Sequence, residues 1–214
     1  MLVKICGITS VDDARLCVLA GADAIGVNLV PTSKRFVDDA TAKEIVQAMK
    51  GAVQVVGVVS DRSAEDLHAL RERLGLHELQ LHGNETRDTL AALLPSAYKA
   101  VRIGSAADAR DAEAWPGEVL LVDADVPGEL GGTGNVLDWT LVRGLCASRR
   151  VLLAGGLTPD NVTTAIEACA PYGVDVASGV ERAGAPRRKD PEKVRAFVDG
   201  ARAAKKRDSG RRGP

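Results

Sequence analysis

Aromatic side chains are scarce in this chain of 214 residues, making up 3% of it. A core built without them must rest on Val, Leu, Ile and Ala, which suits parallel strands covered on both faces by helices. The same scarcity leaves no stacking platform for nucleic acid. Neither sign of charge is in excess, because 28 Lys and Arg stand against 29 Asp and Glu, for a formal net charge of -1. No global field therefore draws nucleic acid or an anionic membrane. No run of roughly 18 uninterrupted apolar residues offers a membrane span, and Met1 leads into a strand pattern rather than a signal-type leader. The four cysteines, Cys6, Cys17, Cys146 and Cys169, have neither C-x-x-C spacing nor a disulfide-rich density. That points to a reducing compartment and a soluble, cytoplasmic protein. The histidines at 68, 77 and 82 lack zinc spacing, and neither common Gly-rich nucleotide-binding pattern occurs.

What is present is alternation. Apolar runs suited to buried strands fall at Leu2 to Ile5, Ala24 to Val30, Val53 to Val59, Glu78 to Leu81, Tyr98 to Ile103, Val119 to Asp123, Val151 to Ala154 and Val174 to Val176. Between and after them, amphipathic stretches predict helices at Val11 to Ala20, Asp39 to Met49, Ala64 to Leu74, Glu85 to Leu94, Ala106 to Trp115, Trp139 to Cys146, Pro159 to Cys169 and Asp190 to Lys205. Helix start signals stand at Asp39, at Ser63 and at Thr158-Pro159-Asp160. Eight βα units in about 200 residues fit a single-domain (β/α)₈ barrel over residues 1–204 better than a doubly wound sheet. Residues 205–214 are basic and lack apolar side chains, and are expected to form a disordered tail.

Active sites in such barrels gather at the C-terminal ends of the strands, and polar residues recur there. Cys6 follows the first strand, with Gly7 for a tight exit. A thiol at that place is either a small buried hydrophobe or, beside a cation such as Lys4 or Arg35, a thiolate base. His82 closes the fourth strand, where it could serve a ligand or bond a loop carbonyl. Asp123 ends the apolar run Val119-Leu120-Leu121-Val122, a place with little structural use for a carboxylate; Asp125, two residues on, would point the same way. The run Gly128 to Gly134 permits close backbone approach to an anion or is a plain surface loop. Gly155-Gly156 after the seventh strand and Ser178-Gly179 after the eighth lie where barrels commonly hold a phosphate on backbone N–H groups.

Lys4-Ile5-Cys6-Gly7-Ile8-Thr9, Ser33-Lys34-Arg35-Phe36, Leu79-Gln80-Leu81-His82-Gly83, Gly131-Gly132-Thr133-Gly134 with Asp138-Trp139, Gly155-Gly156-Leu157 and Val174 to Glu181 together resemble the phosphoribosylanthranilate isomerase family. The blocks occur in the family's order and reach nearly to the tail. The resemblance implies a (β/α)₈ barrel, an Amadori rearrangement in tryptophan biosynthesis, a small phosphorylated substrate, no cofactor, and a monomer or homodimer. It makes Cys6 the general base and Asp123 the general acid, with a lowered pKa expected for the thiol and a raised one for the carboxyl. Arg35 and Asp175 correspond to residues that meet the anthranilate moiety, His82 joins them as a substrate contact, and Gly155, Gly156, Ser178 and Gly179 match the phosphate clamp. Asn28 departs from the aromatic-rich second strand common in the family. Competing readings are another phosphate-binding barrel, such as indoleglycerol-phosphate synthase or a histidine-pathway isomerase, and a catalytically silent barrel that binds a phosphorylated metabolite or a partner. A histidine-pathway isomerase would place an aspartate where Cys6 stands.

Overall fold

The computed structural model describes residues 1–123 and 139–211. Strands β1 (Leu2–Ile5), β2 (Ala24–Asn28), β3 (Gln54–Val59), β4 (Glu78–Leu81), β5 (Ala97–Arg102), β6 (Val119–Asp123), β7 (Arg150–Ala154) and β8 (Gly173–Val176) pair in sequence order into a closed barrel. The seam is parallel like the other pairings, with Leu2 opposite Gly173 and Ile5 opposite Val176. Helices α1 (Val11–Leu19), α2 (Asp39–Ala48), α3 (Ala64–Leu74), α4 (Arg87–Leu93), α5 (Ala106–Glu113), α6 (Trp139–Ser148), α7 (Val162–Cys169) and α8 (Pro191–Arg211) follow the strands in turn. This is the (β/α)₈ barrel read from the alternation.

Strand side chains alternate between two compartments. Val3, Ile5, Ile25, Val27, Val55, Leu79, Leu81, Leu120 and Val122 pack outward into the layer between barrel and helices. A smaller inner cluster of Ala24, Val56, Tyr98, Leu121, Leu152 and Ala154 fills the lumen. Each fully buried aliphatic side chain contributes about 1.5–3 kcal/mol, so the outer layer dominates stability. The lumen is free to carry polar groups near its C-terminal end.

Five helices start on a side-chain cap that accepts the N–H of the third helical residue: Ser10 from Asp13, Asp38 from Thr41, Ser63 from Asp66, Thr86 from Thr89 and Ser105 from Asp108. Each such cap is worth about 1 kcal/mol, and together they anchor the loops that rim the barrel mouth.

Several boundaries differ from the pattern-based ones for local reasons. The β2 strand stops at Asn28 because the Asn28 Oδ1 accepts the Val30 N–H at 2.9 Å and turns the chain. Helix α4 starts at Arg87 rather than Glu85, whose carboxylate accepts the Asp61 and Gly83 N–H groups. Helix α7 starts at Val162 rather than Pro159, because Asn161 bonds the Thr158 N–H at 2.8 Å and closes a turn first. Helix α8 continues to Arg211, into the segment expected to be a disordered tail; lysine and arginine there are strong helix formers. An antiparallel hairpin of β9 (Glu181–Arg182) and β10 (Ala185–Lys189) follows β8, in a stretch to which the alternation assigns no element.

Candidate active site

A cavity of about 860 Å³ opens at the C-terminal end of the barrel. Cys6, Arg35, His82, Asp123 and Asp175 all line it, as do Gly155, Gly156 and Ser178. The strands explain the convergence: Cys6 lies two residues past Lys4, and His82 two past Gln80, so each pair shares the inward face. Asp123 likewise follows the inward Leu121. Gly179 is not among the lining residues. The sequence candidates Asp125, Gly128 to Gly134 and Asp138 lie outside the described residues.

Beneath the thiol lies a buried polar chain. Lys4, 1% exposed, donates to Asp175 Oδ1 and to Gln80 Oε1, each at 2.9 Å. Gln80 Oε1 also accepts the Tyr98 hydroxyl at 3.4 Å, and Gln80 Nε2 lies 3.0 Å from His82 Nδ1. Burial alone would lower the pKa of Lys4, but the Asp175 carboxylate, with Cys6 and Tyr98, more than offsets this and raises it. Lys4 is thus a permanent cation at the barrel floor.

The thiol of Cys6 titrates higher than an ordinary cysteine, which corrects the expectation of a lowered pKa. Burial is the largest cause and Asp175 adds to it; Lys4 and Lys189 pull the other way without prevailing. Cys6 is held close against its neighbour strand. A side-chain carbon at Gly26 would lie 2.7 Å from the Cys6 sulfur and 3.3 Å from Lys4 Nζ, so a glycine there leaves room for both atoms.

Arg35 spans the far wall. Its Nε and Nη2 donate to Glu181 Oε1 and Oε2 at 2.5 and 2.9 Å, a bidentate pair that raises the arginine pKa. Glu181 also meets Lys189 Nζ at 3.4 Å, and Lys189 donates to the Ala177 carbonyl at 2.9 Å. Burial lowers the pKa of Lys189, with Glu181 opposing. The β9–β10 hairpin supplies this support and ties in two other loops: Thr9 donates to the Arg187 carbonyl, and Arg187 donates to the Phe36 carbonyl. Sequence reading named Arg35 but missed its partners, since Glu181 is 146 residues away.

At β7 and β8 the backbone is shaped for close approach. Gly155 and Gly156 both take positive φ, 82° and 61°, which other residues rarely adopt. A Cβ on Gly179 would run into the Leu157 carbonyl, so this glycine lets the loop after β8 pack on the loop after β7. On the opposite wall, Lys99 pairs with Glu85 at 2.9 Å and donates to the Gly83 carbonyl at 2.6 Å, fixing the turn that carries His82. Burial lowers the pKa of His82, and Lys99 and Arg102 reinforce this against Asp123 and Asp175. Among the described residues no group of three or more His, Cys, Asp or Glu is arranged to hold a metal ion. No helix among them is long and apolar enough to cross a membrane.

Residues 3–200 match the family model of N-(5'-phosphoribosyl)anthranilate (PRA) isomerase. The N-(5'-phosphoribosyl)anthranilate isomerase of Desulforudis audaxviator is 44% identical over 205 residues, spanning 95% of this chain and 98% of its own. The crystal structure of phosphoribosyl anthranilate isomerase from Thermotoga maritima superposes with a TM-score of 0.86 at 34% identity, over 95% of this chain and 99% of that one. A second isomerase structure, in complex with reduced 1-(o-carboxyphenylamino)-1-deoxyribulose 5-phosphate, gives 0.83 at 32% identity over 95% of this chain and all of that one. A third, of monomers generated from the dimeric Thermotoga maritima protein, gives 0.81 at 31% identity, over 95% of this chain and 100% of that one.

Proposed function

This chain belongs to the N-(5'-phosphoribosyl)anthranilate isomerase family and catalyses that family's step of tryptophan biosynthesis; on this premise we propose which of its residues carry the reaction. The enzyme converts an N-ribosyl aminoaldose phosphate to 1-(2-carboxyphenylamino)-1-deoxyribulose 5-phosphate.

Asp123 is the general acid and Cys6 the general base. Asp123 protonates the furanose oxygen as the amine nitrogen pushes its lone pair toward C1, and the ring opens to an iminium. The thiolate of Cys6 then takes the proton from C2, and the enolamine that forms gains a proton at C1 and gives up its C2 hydroxyl proton to become the ketone. What supports this assignment above all is that the two side chains, delivered by β1 and β6, line one cavity. The Lys4 ammonium is the cation that favours the thiolate.

Arg35, His82 and Asp175 contact the substrate. Glu181 holds the Arg35 fork in place, and Asp175 bears on the site through Lys4 as well. Gly155, Gly156 and Ser178 clamp the phosphate with backbone N–H groups, and Gly179 keeps their two loops in contact. The enzyme works in the cytoplasm, consistent with its free thiols, as a monomer or homodimer.

The test is turnover of the substrate followed by loss of its anthranilate fluorescence. Cys6→Ala and Asp123→Asn are each expected to lower kcat by about 10²–10⁴-fold with the fold intact. Near-normal turnover in either variant would remove that residue from the mechanism.

A further inference from the structure

The polar chain under His82 has a fixed direction. Lys4 Nζ can only donate, and it meets Gln80 Oε1 at 2.9 Å, where the Tyr98 hydroxyl also arrives. The amide oxygen of Gln80 must therefore face β1 and β5, which turns its NH₂ toward His82. That NH₂ is a donor only, so His82 Nδ1, 3.0 Å away, has to accept. A neutral imidazole that accepts at Nδ1 carries its proton on Nε2, the nitrogen left for the cavity.

We propose that Lys4 and Gln80 are positioning residues that hold His82 as the neutral Nε2–H tautomer, so that it serves as a fixed hydrogen-bond donor to a substrate oxygen. The proposal rests on the isomerase reading of the site and assigns His82 a role in it: a donor that keeps its proton stabilises the C2 oxygen as enolamine becomes ketone, and leaves proton transfer to Cys6 and Asp123.

Protonating Nδ1 would set an N–H against the Gln80 NH₂. The charges facing the ring are divided, with Asp123 on β6 and Asp175 on β8 favouring an imidazolium, and Lys99 and Arg102 on β5 opposing it. Burial adds to the opposition and leaves the ring neutral near pH 7. The clamp is buried: Lys4 is 1% and Gln80 2% exposed, so solvent does not compete for the amide.

Nitrogen-15 correlation spectra of the histidine rings in the full chain test this, with His82→Gln identifying the His82 signals among the three histidines. The expected spectrum has Nε2 protonated and Nδ1 bare at pH 7 and above, with titration displaced below the ordinary value of 6.5. A ring protonated on Nδ1, an even mixture, or titration at the ordinary value of 6.5 overturns the proposal. Gln80→Glu, which sets a carboxylate oxygen against Nδ1, is expected to move the proton there and lower kcat about tenfold. Lys4→Met, which frees the amide to rotate, is expected to mix the tautomers. An unchanged His82 spectrum in both variants would overturn the role given to the clamp. Failure of the wild-type enzyme to turn over its substrate would instead strike the functional reading and leave the tautomer standing.

Discussion

The ammonium of Lys4 and the carboxylate of Asp175 meet at 2.9 Å on the barrel floor, with side chains only 1% and 8% exposed. Two charges taken so far from water are costly to desolvate, and apolar residues of similar volume would often serve stability as well. Their value lies in what stands around them, the thiol of Cys6 on one side and the Gln80–His82 chain on the other.

Removing one partner should expose that cost. Lys4→Met leaves Asp175 buried and uncompensated, and is expected to destabilise the fold by about 3–5 kcal/mol in urea unfolding. Adding Asp175→Asn should recover part of the loss, so the double variant is more stable than the sum of the single effects allows.

The pH profile follows from Cys6. Its pKa is raised above 9.0, and Asp123 must hold its proton while the thiolate acts, so kcat/KM should not climb with the thiolate fraction alone and should fall on a basic limb only above pH 9. Lys4 opposes the rise, so any activity left in Lys4→Met should have its basic limb displaced to still higher pH. A wild-type basic limb that already falls below pH 9 would contradict the assignment.

Glu181 should matter for binding. Its bidentate hold on Arg35 is charge-assisted, and Glu181→Gln leaves the guanidinium without a charged partner. Steady-state kinetics should show KM rising roughly tenfold, on the scale of one lost charged hydrogen bond, with a smaller change in kcat.

Gly26→Ala tests how tightly the thiol is seated. The added carbon would fall 2.7 Å from the sulfur, so kcat should drop and stability should fall by about 1–3 kcal/mol. Gly144→Ala in α6 is the control: its Cβ meets nothing within 4 Å, and unfolding measurements should show stability unchanged or higher.

Much of the barrel could be read from the chain because parallel strands buried on both faces demand continuous apolar runs, and the run Val119-Leu120-Leu121-Val122 is one of them. Such barrels gather their sites at the C-terminal ends of the strands, which is why Cys6, His82 and Asp123 could be named before their neighbours were known. Partnerships across the barrel could not be seen that way. Nothing local to Arg35 points to Glu181, and the hairpin carrying Lys189 is short and charged enough to pass for loop. The titration of Cys6 was misjudged for a related reason: a nearby lysine is visible in Lys4-Ile5-Cys6, whereas the depth of burial that outweighs it belongs to the assembled barrel.

Closure of β1 on β8 also orders events in time. Cys6 is translated long before Asp175, Glu181 and Lys189, the first of which bonds Lys4 across 171 residues. A nascent chain on the ribosome thus carries an unshielded sulfur and an unmade floor until the final βα unit has emerged, and no catalytic competence can precede that moment.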